Sequence, residues 1–311
     1  MRGEGSASKP SACYNDAVFA KLYVEITDVC NLRCPFCPPT LRPKRFMTGA
    51  EFDAILGKLE GQGRLLYLHV KGEPLLHPEL GEFLEIARKR RFGVALTTNG
   101  SLLERQAELL LGSHAIKKLS VSLHSHAIDF ADGEGTADAD RVGNYWANVA
   151  SFLDRHRLSP RFPVSLRLWN LRDGALPPET AFIWERMRER YAAVGPWGSP
   201  EAWPKDNRLD ESVFLNKAEE FTWPDLSLPM DGEAGTCLGL REQIAVLVDG
   251  TVVPCCLDGE GRLALGNLFE EDLEAILAAP RAKAMREGFE RGVLVEGLCR
   301  TCGFRRRFDA G

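Results

Sequence analysis

The sequence has no long apolar run, no excess of basic residues and no low-complexity tract. No stretch approaches the roughly 20 apolar residues that a membrane-spanning helix needs, so we expect no membrane contact. The first eleven residues are mostly small and polar and lack the apolar core of a secretion signal, which predicts a cytoplasmic protein. The net charge of -5 argues against a surface that coats a nucleic-acid polymer.

Cysteine is well represented, with nine residues, but it is unevenly placed. In a reducing compartment such cysteines are more readily interpreted as metal ligands than as disulfides. Cys13 stands apart and is interpreted as an ordinary thiol. The others form two groups: Cys30, Cys34 and Cys37, and then Cys237, Cys255, Cys256, Cys299 and Cys302.

The first group has the spacing C-x3-C-x2-C, which suits a cubane iron–sulfur cluster. Three thiolates on four irons leave one iron without a protein ligand, and an open metal position binds something that is not protein. A zinc site is the alternative. It needs a fourth donor, but no cysteine or histidine follows Cys37 before His69. The open position therefore predicts an enzyme.

From about residue 21 to about 195, short apolar segments alternate with amphipathic ones, the pattern of a parallel sheet built from βα units. Strands are predicted at 21–27, 65–71, 93–98, 117–123 and 164–169, with a sixth at 208–215 after a helix at 177–193. Capping boxes are predicted at Thr48 to Glu51 and at Ser101 to Glu104. We expect an α/β fold whose loops meet at the carboxyl edge of the sheet, where such folds carry their active sites.

The periodicity changes after the sixth unit. Residues 195–210, with Trp197 and Trp203, are predicted to form a long loop, and residues 244–254 a hairpin around Asp249 and Gly250. A helix is predicted at 270–278. The predicted division is an extended or disordered segment at 1–17, a large domain at 18–224 and a small α+β domain at 225–311.

Alternate side chains of a strand share a face, so the predicted strands carry one apolar row and one polar row. The apolar row should face the helices and comprises Leu22, Val24, Ile26, Leu66, Leu68, Val70, Val121, Leu123, Val164, Leu166 and Leu168. The polar row comprises Tyr23, Glu25, Thr27, Tyr67, His69, Lys71, Thr97, Asn99, Ser120, Ser122, His124, Ser165, Arg167 and Trp169. It is too polar for the packed interior of a closed barrel, so it predicts a polar cavity in a partly open one. A buried hydrogen-bond network is the alternative for any single member of this row.

The first cysteine motif, with Phe36 before Cys37 and a place just after the first predicted strand, resembles that of the radical S-adenosylmethionine (SAM) superfamily. Residues 71–74, Lys-Gly-Glu-Pro, resemble the Gly-Gly-Glu-Pro motif of that family with lysine in the first position. The resemblance implies a partial (β/α)6 barrel, a 4Fe-4S cluster on the three cysteines, and S-adenosyl-L-methionine on the open iron. It also implies SAM contacts from Gly72, Glu73, Thr98, Asn99, Ser122, His124 and Arg167.

The second cysteine group resembles the auxiliary-cluster domain of the SPASM/Twitch subgroup of the same family. The resemblance implies a second, auxiliary 4Fe-4S cluster held by Cys237, Cys255, Cys299 and Cys302. Zinc ribbons use similar pairs, so zinc is the alternative for this half taken alone. Cys256 stays open between a core thiol, a substitute for Cys255 and a hydrogen-atom donor.

The resemblance implies a mechanism in which SAM is cleaved reductively and the resulting 5'-deoxyadenosyl radical abstracts a hydrogen from a substrate, with a flavodoxin- or ferredoxin-type protein as reductant. For a small-molecule dehydrogenase, Glu25, Lys71 or His124 would remove a proton. Epimerase and lyase reactions are also open, including queuine-lyase-type 7-deazaguanine chemistry, in which Trp169 or Trp223 would stack on the base.

Two other classes are weighed against a small-molecule enzyme. A maturase acting on a ribosomal peptide commonly has a further recognition domain and two auxiliary clusters, for which this sequence has too few residues before its first strand and too few cysteines. A non-catalytic electron carrier would need neither Gly72 and Glu73 nor a polar cavity.

Overall fold

The computed structural model describes residues 19–127, 139–194, 197 and 206–308. The predicted extended segment at 1–17, Cys13 and Trp203 lie outside the described residues. The strands are β1 (Lys21–Val24), β2 (Leu65–Tyr67), β3 (Gly93–Thr98), β4 (Ile116–Ser122), β5 (Val164–Leu171), β6 (Asp206–Arg208), β7 (Val213–Glu219), β8 (Gln243–Val246), β9 (Thr251–Val253) and β10 (Gly266–Asn267). The helices are α1 (Gly49–Leu59), α2 (Leu80–Lys89), α3 (Ala107–Gly112), α4 (Ala139–Leu158), α5 (Ala181–Arg190), α6 (Leu273–Ala278), α7 (Pro280–Glu290) and α8 (Gly297–Arg300).

All ten strands belong to one sheet, in the order β10-β9-β8-β1-β2-β3-β4-β5-β7-β6. The six strands from β1 to β5 and β7 run parallel, and one of the helices α1 to α5 connects each to the next. This arrangement confirms the predicted α/β fold with a partial (β/α)6 barrel. It also brings the carboxyl ends of the six strands to one edge of the sheet.

The sixth strand is displaced from its prediction. The parallel strand β7 begins at Val213, whereas the prediction began at residue 208. Arg208 belongs instead to β6, a short antiparallel edge strand in which it pairs with Phe214. The sequence pattern predicts one strand after each helix, so it did not predict β6 as a separate short strand before β7.

One of the two predicted capping boxes is present. The backbone N–H of Glu51 donates to Thr48 Oγ1 at 3.2 Å, and the Thr48 N–H donates to the Glu51 carboxylate at 2.8 Å. The second box is wrong, because α3 begins only at Ala107 and the Ser101 hydroxyl donates to Asn99 Oδ1 at 2.7 Å. Ser101 therefore supports the loop after β3 rather than a helix.

The predicted apolar row lies in the main hydrophobic core under the helices, with the exception of Val70. Val70 packs in a smaller cluster with Tyr23, Ala245 and Val253. The reason is that β2 ends at Tyr67, so the alternation of faces does not continue to residue 70.

The C-terminal hairpin of β8 and β9 turns at Asp249 and Gly250, as predicted, with Gly250 at φ +84°. Strand β8 also pairs in parallel with β1, so the hairpin extends the barrel sheet.

The predicted boundary between the two domains, at residue 225, stays a prediction. The helix predicted at 270–278 is the shorter α6, and α7 was not predicted. Among the described residues, no helix combines the length and the apolar character needed to cross a bilayer.

Candidate active site and a second cysteine site

A cavity of about 650 Å³ opens at the carboxyl ends of the parallel strands. We call it the Cys-loop cavity, because Cys30, Cys34 and Cys37 all line it. Several other residues predicted for the site also line it: Lys71, Gly72, Glu73, Thr98, Asn99 and Ser122. His124 and Arg167 are not among its lining residues.

The loop that carries the three cysteines is held by side chains from the next strands. Asn99 Nδ2 donates to Asn31 Oδ1 at 3.0 Å and lies 3.9 Å from the Cys30 sulfur, and Asn31 donates in turn to Ser101 Oγ at 2.9 Å. The Ser125 hydroxyl lies 4.0 Å from the Cys34 sulfur. Sequence reasoning did not single out Asn31 and Ser125, since neither belongs to a spaced motif.

The turn at Gly72 is one that only glycine accommodates. Its φ is +71°, and an added Cβ would lie 2.3 Å from the backbone oxygen of Thr27. The turn brings Glu73 to the end of β3, and the backbone N–H of Glu73 donates to Val29 O at 2.9 Å. The motif therefore packs directly against the cysteine loop.

Glu73 is almost completely buried and ties three segments together. It accepts hydrogen bonds from the Thr98 hydroxyl at 2.7 Å, the Asn99 N–H at 2.7 Å and the Leu75 N–H at 3.0 Å. Burial raises the pKa of Glu73 to about 7, although the three donors favour its ionised form. The Thr98 side chain, predicted to contact SAM, thus positions Glu73 in this structure.

Lys71 stands between the Cys-loop cavity and a neighbouring one. Its Nζ donates to Pro38 O at 2.6 Å, lies 3.9 Å from the Cys37 sulfur, and lies 4.3 Å from the ring centroid of Trp223. Burial lowers the pKa of Lys71.

The neighbouring cavity has a volume of about 410 Å³, and we call it the Trp223 pocket. Its lining residues are Pro35, Phe36, Pro38, Pro39, Leu41, Lys71, Glu220, Phe221, Thr222, Trp223, Pro224, Asp225, Leu228, Leu257, Asp258, Gly259, Glu260, Arg262 and Leu298.

Glu25, one of the predicted proton acceptors, has both carboxylate oxygens committed. Arg42 donates to Oε1 at 2.8 Å and to Oε2 at 2.7 Å, while the N–H groups of Lys71 and Val248 donate at 2.9 and 3.0 Å. The Glu25 side chain is fully buried, so this is a buried ion pair. Glu25 therefore joins the cysteine loop, the end of β2 and the C-terminal hairpin. Because both of its oxygens already accept hydrogen bonds, this geometry does not favour the predicted role of Glu25 as a proton acceptor.

His124, Arg167 and Trp169 form a group beside the cavity. The His124 ring lies 4.9 Å from Phe36, and its Nδ1 faces the Arg167 carbonyl at 3.2 Å and the Trp169 N–H at 3.4 Å. The Arg167 guanidinium lies 4.4 Å from the Trp169 ring centroid. Trp169 Nε1 donates to Asn216. Arg167 is thus stacked on Trp169 and does not line the cavity, and its contact with the SAM carboxylate stays a prediction.

Part of the predicted polar row packs in the barrel interior, and one member of that part, His69, also lines the Cys-loop cavity. Tyr23 and Tyr67 stack with ring centroids 4.8 Å apart, and His69 contacts Tyr23 edge-on at 5.7 Å. Burial lowers the pKa of His69 to about 3, and its Nδ1 has no partner among the described residues. The open polar space is therefore confined to the carboxyl end of the strands.

Two thiols of the cysteine loop are held in the protonated form by burial. Burial raises the pKa of Cys34 to about 12 and raises that of Cys30 as well. Iron binding replaces these protons, since thiolates are the metal-binding form. Three cysteines beside a polar cavity fit an iron–sulfur cluster with an open iron.

The second cysteine site has a different environment. Cys237, Cys255, Cys299 and Cys302 line one small cavity whose remaining walls include Leu257, Leu263, Leu294 and Leu298. Burial raises the pKa of all four thiols. Four cysteines in apolar surroundings fit a fully ligated cluster.

Cys256 does not line this second cavity. It packs beside the small cluster of Tyr23, Val70 and Ala245, and burial raises its pKa to about 11. This position favours the core-thiol interpretation of Cys256.

Throughout the described part of the chain, no three Cys, His, Asp or Glu side chains lie close enough together to hold a single metal ion.

Comparison with known protein families gives two matches. The model of the radical SAM superfamily matches residues 24–151, and the model of the SPASM iron–sulfur cluster-binding domain matches residues 237–303. The two matches cover the two cysteine groups separately.

Three curated proteins illustrate the similarity. The GTP 3',8-cyclase of Microcystis aeruginosa is 32% identical over 303 residues, which cover 86% of this chain and 90% of that enzyme. The GTP 3',8-cyclase of Chlorobaculum tepidum is 29% identical over 189 residues, 58% of this chain, and the match spans about half, 55%, of that enzyme. The antilisterial bacteriocin subtilosin biosynthesis protein AlbA of Bacillus subtilis is 25% identical over 272 residues, 82% of this chain and 59% of that protein.

Among solved structures, BtrN in complex with AdoMet and 2-DOIA superimposes with a TM-score of 0.57 at 19% identity, covering 93% of this chain and 94% of that one. At that identity the likeness concerns the fold alone.

Proposed function

This chain belongs to the radical SAM superfamily and carries a SPASM iron–sulfur cluster-binding domain, and on that premise we propose that it is an enzyme that modifies a small molecule by hydrogen abstraction. Its cofactors are a 4Fe-4S cluster, SAM and an auxiliary iron–sulfur cluster. When bound, the cluster and SAM supply the reductive cleavage of SAM that begins hydrogen abstraction.

The observation that carries the proposal is the Cys-loop cavity. Its wall brings the thiols of Cys30, Cys34 and Cys37 to the turn at Gly72 and Glu73. We assign the three cysteines to the cluster and the Gly72–Glu73 turn, with Asn99 and Ser122, to SAM. Glu73 Oε2 accepts one hydrogen bond, from the Asn99 N–H, so it has room for a further donor such as an ammonium group.

Lys71 is our proposed proton acceptor. It lines the Cys-loop cavity, and burial lowers its pKa, which shifts it toward the neutral form that accepts a proton. Glu25 is tied to Arg42, and His124 does not line the cavity. A dehydrogenase or lyase would use the Lys71 amine as its proton acceptor, whereas an epimerase would need a hydrogen-atom donor instead.

The second cysteine site is assigned to the auxiliary cluster, with Cys237, Cys255, Cys299 and Cys302 as ligands. Four ligands leave no iron open, so this cluster suits electron transfer rather than direct substrate binding. The adjacent cysteine, Cys256, packs against the cluster that contains Tyr23 and does not line this cavity, so it is left out of the ligand set.

The decisive experiment is SAM cleavage by reconstituted, chemically reduced protein, measured as 5'-deoxyadenosine by mass spectrometry. The wild type should form it, Cys34→Ala should not, and Cys13→Ala, which removes a thiol outside both groups, should behave as the wild type. Absence of product from wild-type protein with an intact cluster would overturn the proposal.

A peptide maturase is the second candidate, favoured by the similarity to the bacteriocin biosynthesis protein AlbA. The two candidates separate when the low-molecular-weight and peptide fractions of a bacterial extract are tested for stimulation of 5'-deoxyadenosine formation. Stimulation by the first fraction alone supports a small-molecule enzyme, and stimulation by the second alone supports a maturase.

A further inference from the structure

The Trp223 pocket opens beside the Cys-loop cavity, and the two share the wall formed by residues 35, 36, 38, 39 and 71. Its volume of about 410 Å³ lies within the range of small-molecule sites. A ligand in the pocket would therefore lie next to the place we assign to SAM. The pocket thus has the size and position of a substrate site.

The apolar part of the pocket is aromatic. Trp223 and Phe221 lie on one segment, with ring centroids 5.8 Å apart, and both line the pocket. Flat side chains of this kind favour a ligand with a flat apolar body. Lys71 Nζ lies 4.3 Å from the Trp223 ring centroid, so a nitrogen already packs against this ring.

The charged part of the pocket is predominantly acidic. Four carboxylates line it, on Glu220, Asp225, Asp258 and Glu260, against two cations, on Lys71 and Arg262. An apolar pocket with this balance of charge attracts cations and repels anions.

Three of the four carboxylates are already engaged. Glu220 pairs with Arg172 at 3.1 Å. Asp225 accepts from the Ser227 hydroxyl at 2.6 Å, and the two oxygens of Asp258 accept from the N–H groups of Arg262 and Leu263 at 2.9 and 2.7 Å.

Glu260 differs from them. Its Oε2 accepts from the Leu41 N–H at 2.9 Å, whereas its Oε1 is buried and has no partner among the described residues. A buried carboxylate oxygen without a donor is costly, and an N–H group on a ligand would remove that cost. Glu260 Oε1 is thus a buried acceptor without a donor among the described residues, on a side chain that lines the pocket.

We propose that the Trp223 pocket binds the substrate, and that this substrate carries a cationic nitrogen, an amine or amidine that donates to Glu260, on a flat apolar body that packs against Trp223. The inference rests on the proposed function only in calling the ligand a substrate. The chemistry of the ligand follows from the residues that line the pocket.

The test is calorimetric titration of the reconstituted protein with three probes of the same shape: benzamidine, which is cationic, benzamide, which is neutral, and benzoate, which is anionic. Benzamidine should bind most tightly and benzoate least. Glu260→Gln should weaken benzamidine binding by about tenfold or more while changing benzamide binding little, since a charge-assisted hydrogen bond becomes a neutral one. Gln keeps an oxygen for the Leu41 N–H.

Two further variants complete the set. Trp223→Leu should weaken all three probes, whereas Trp223→Phe should keep most of the affinity. Glu274→Gln, an exposed glutamate of α6, is the matched control and should bind as the wild type. Each variant is compared at equal iron content and equal thermal midpoint, so that a loss of folding is not mistaken for a loss of binding.

Equal affinity for benzoate and benzamidine, or unchanged benzamidine binding in Glu260→Gln, would overturn the inference. SAM cleavage without added substrate is measured on the same samples. If SAM cleavage fails while benzamidine binding follows the expected pattern, the proposed function fails and the pocket assignment stands. If SAM is cleaved but the three probes do not bind in the expected order, the proposed function stands and only this inference is overturned.

Discussion

The two cysteine sites of this molecule differ in what surrounds the sulfur atoms. The first opens on a cavity of about 650 Å³ whose wall includes Lys71, Glu73 and Asn99. The second is lined mainly by four leucines, with Pro224, Asp258 and Arg305 beside them. The surroundings agree with the number of thiols: three beside polar groups leave a place for a second ligand, and four among apolar groups leave none. The donor count and the environment thus indicate the same division between a reacting site and an electron-transfer site.

Removing one ligand from each site is the strongest way to break this comparison. Cys34→Ala and Cys299→Ala should each lower the iron content from about eight to about four per chain, because each loses one cubane. Cys34→Ala should abolish 5'-deoxyadenosine formation, whereas Cys299→Ala should retain it. Iron analysis and mass spectrometry on the same samples check both points. Equal losses of SAM cleavage in the two variants would show that the sites are not functionally distinct.

The buried ion pair of Arg42 and Glu25 lies beside the first site, and breaking it should have the next largest effect. Arg42→Leu leaves a buried carboxylate unpaired and should lower the free energy of unfolding by about 3–5 kcal/mol. The double variant with Glu25→Gln should recover part of this loss. The exposed pair of Arg88 and Glu85 is the control, since Arg88→Leu should leave the free energy of unfolding nearly unchanged. Chemical denaturation measures all four proteins.

A glycine lies close to the cysteines in each site, and the two should respond differently to alanine. Gly72→Ala combines φ +71° with a contact of 2.3 Å, so it should cost about 2 kcal/mol or more and weaken SAM binding. Gly239→Ala would meet its nearest atom, Pro254 O, at 3.1 Å without a left-handed backbone, and should cost about 1 kcal/mol or less. Thermal unfolding and equilibrium dialysis of SAM check the pair. A larger cost for Gly239→Ala would contradict the assignment of strain to the Gly72 turn.

The smallest expected effect concerns the proton on Glu73. Burial raises its pKa to about 7 in the folded state, above the ordinary value of 4.5, so folded protein retains a proton that the unfolded chain releases. The resulting stability is complete below the unfolded pKa and is lost as the pH rises through 7. From about pH 6 to about pH 8 the wild type should therefore lose about 1 kcal/mol relative to Glu73→Gln.

Anaerobic denaturation of the wild type, Glu73→Gln and the exposed control Glu274→Gln tests this pH dependence. The control should follow the wild type. If the three hydrogen-bond donors outweigh burial, the pKa of Glu73 lies at or below its ordinary value of 4.5, and the wild type and Glu73→Gln should show the same pH dependence from about pH 6 to about pH 8.

The strands and the fold class were predictable because alternation along a strand and spacing along a helix are local properties of the chain. The predictions that differed lie where a distant segment competes for the same group. Ser101 accepts a hydrogen bond from Asn31, 70 positions earlier, and does not cap a helix. Val70 packs with Ala245 and Val253 of the C-terminal hairpin and not in the main core. Arg42 was missed altogether, since its loop has no periodicity and its partner Glu25 lies 17 positions earlier in the chain.

By itself the sequence determined the α/β architecture, the two cysteine groups and their different numbers of thiols, because these depend on residues close together along the chain. Only the tertiary structure decided which carboxylate is committed and which is open: Glu25 is neutralised by Arg42, while Glu260 keeps one oxygen without a partner among the described residues. It also separated Cys255 from Cys256, which point to different surroundings. The physical reason is that the partners of a side chain come from segments far apart in the chain, and only folding brings them together.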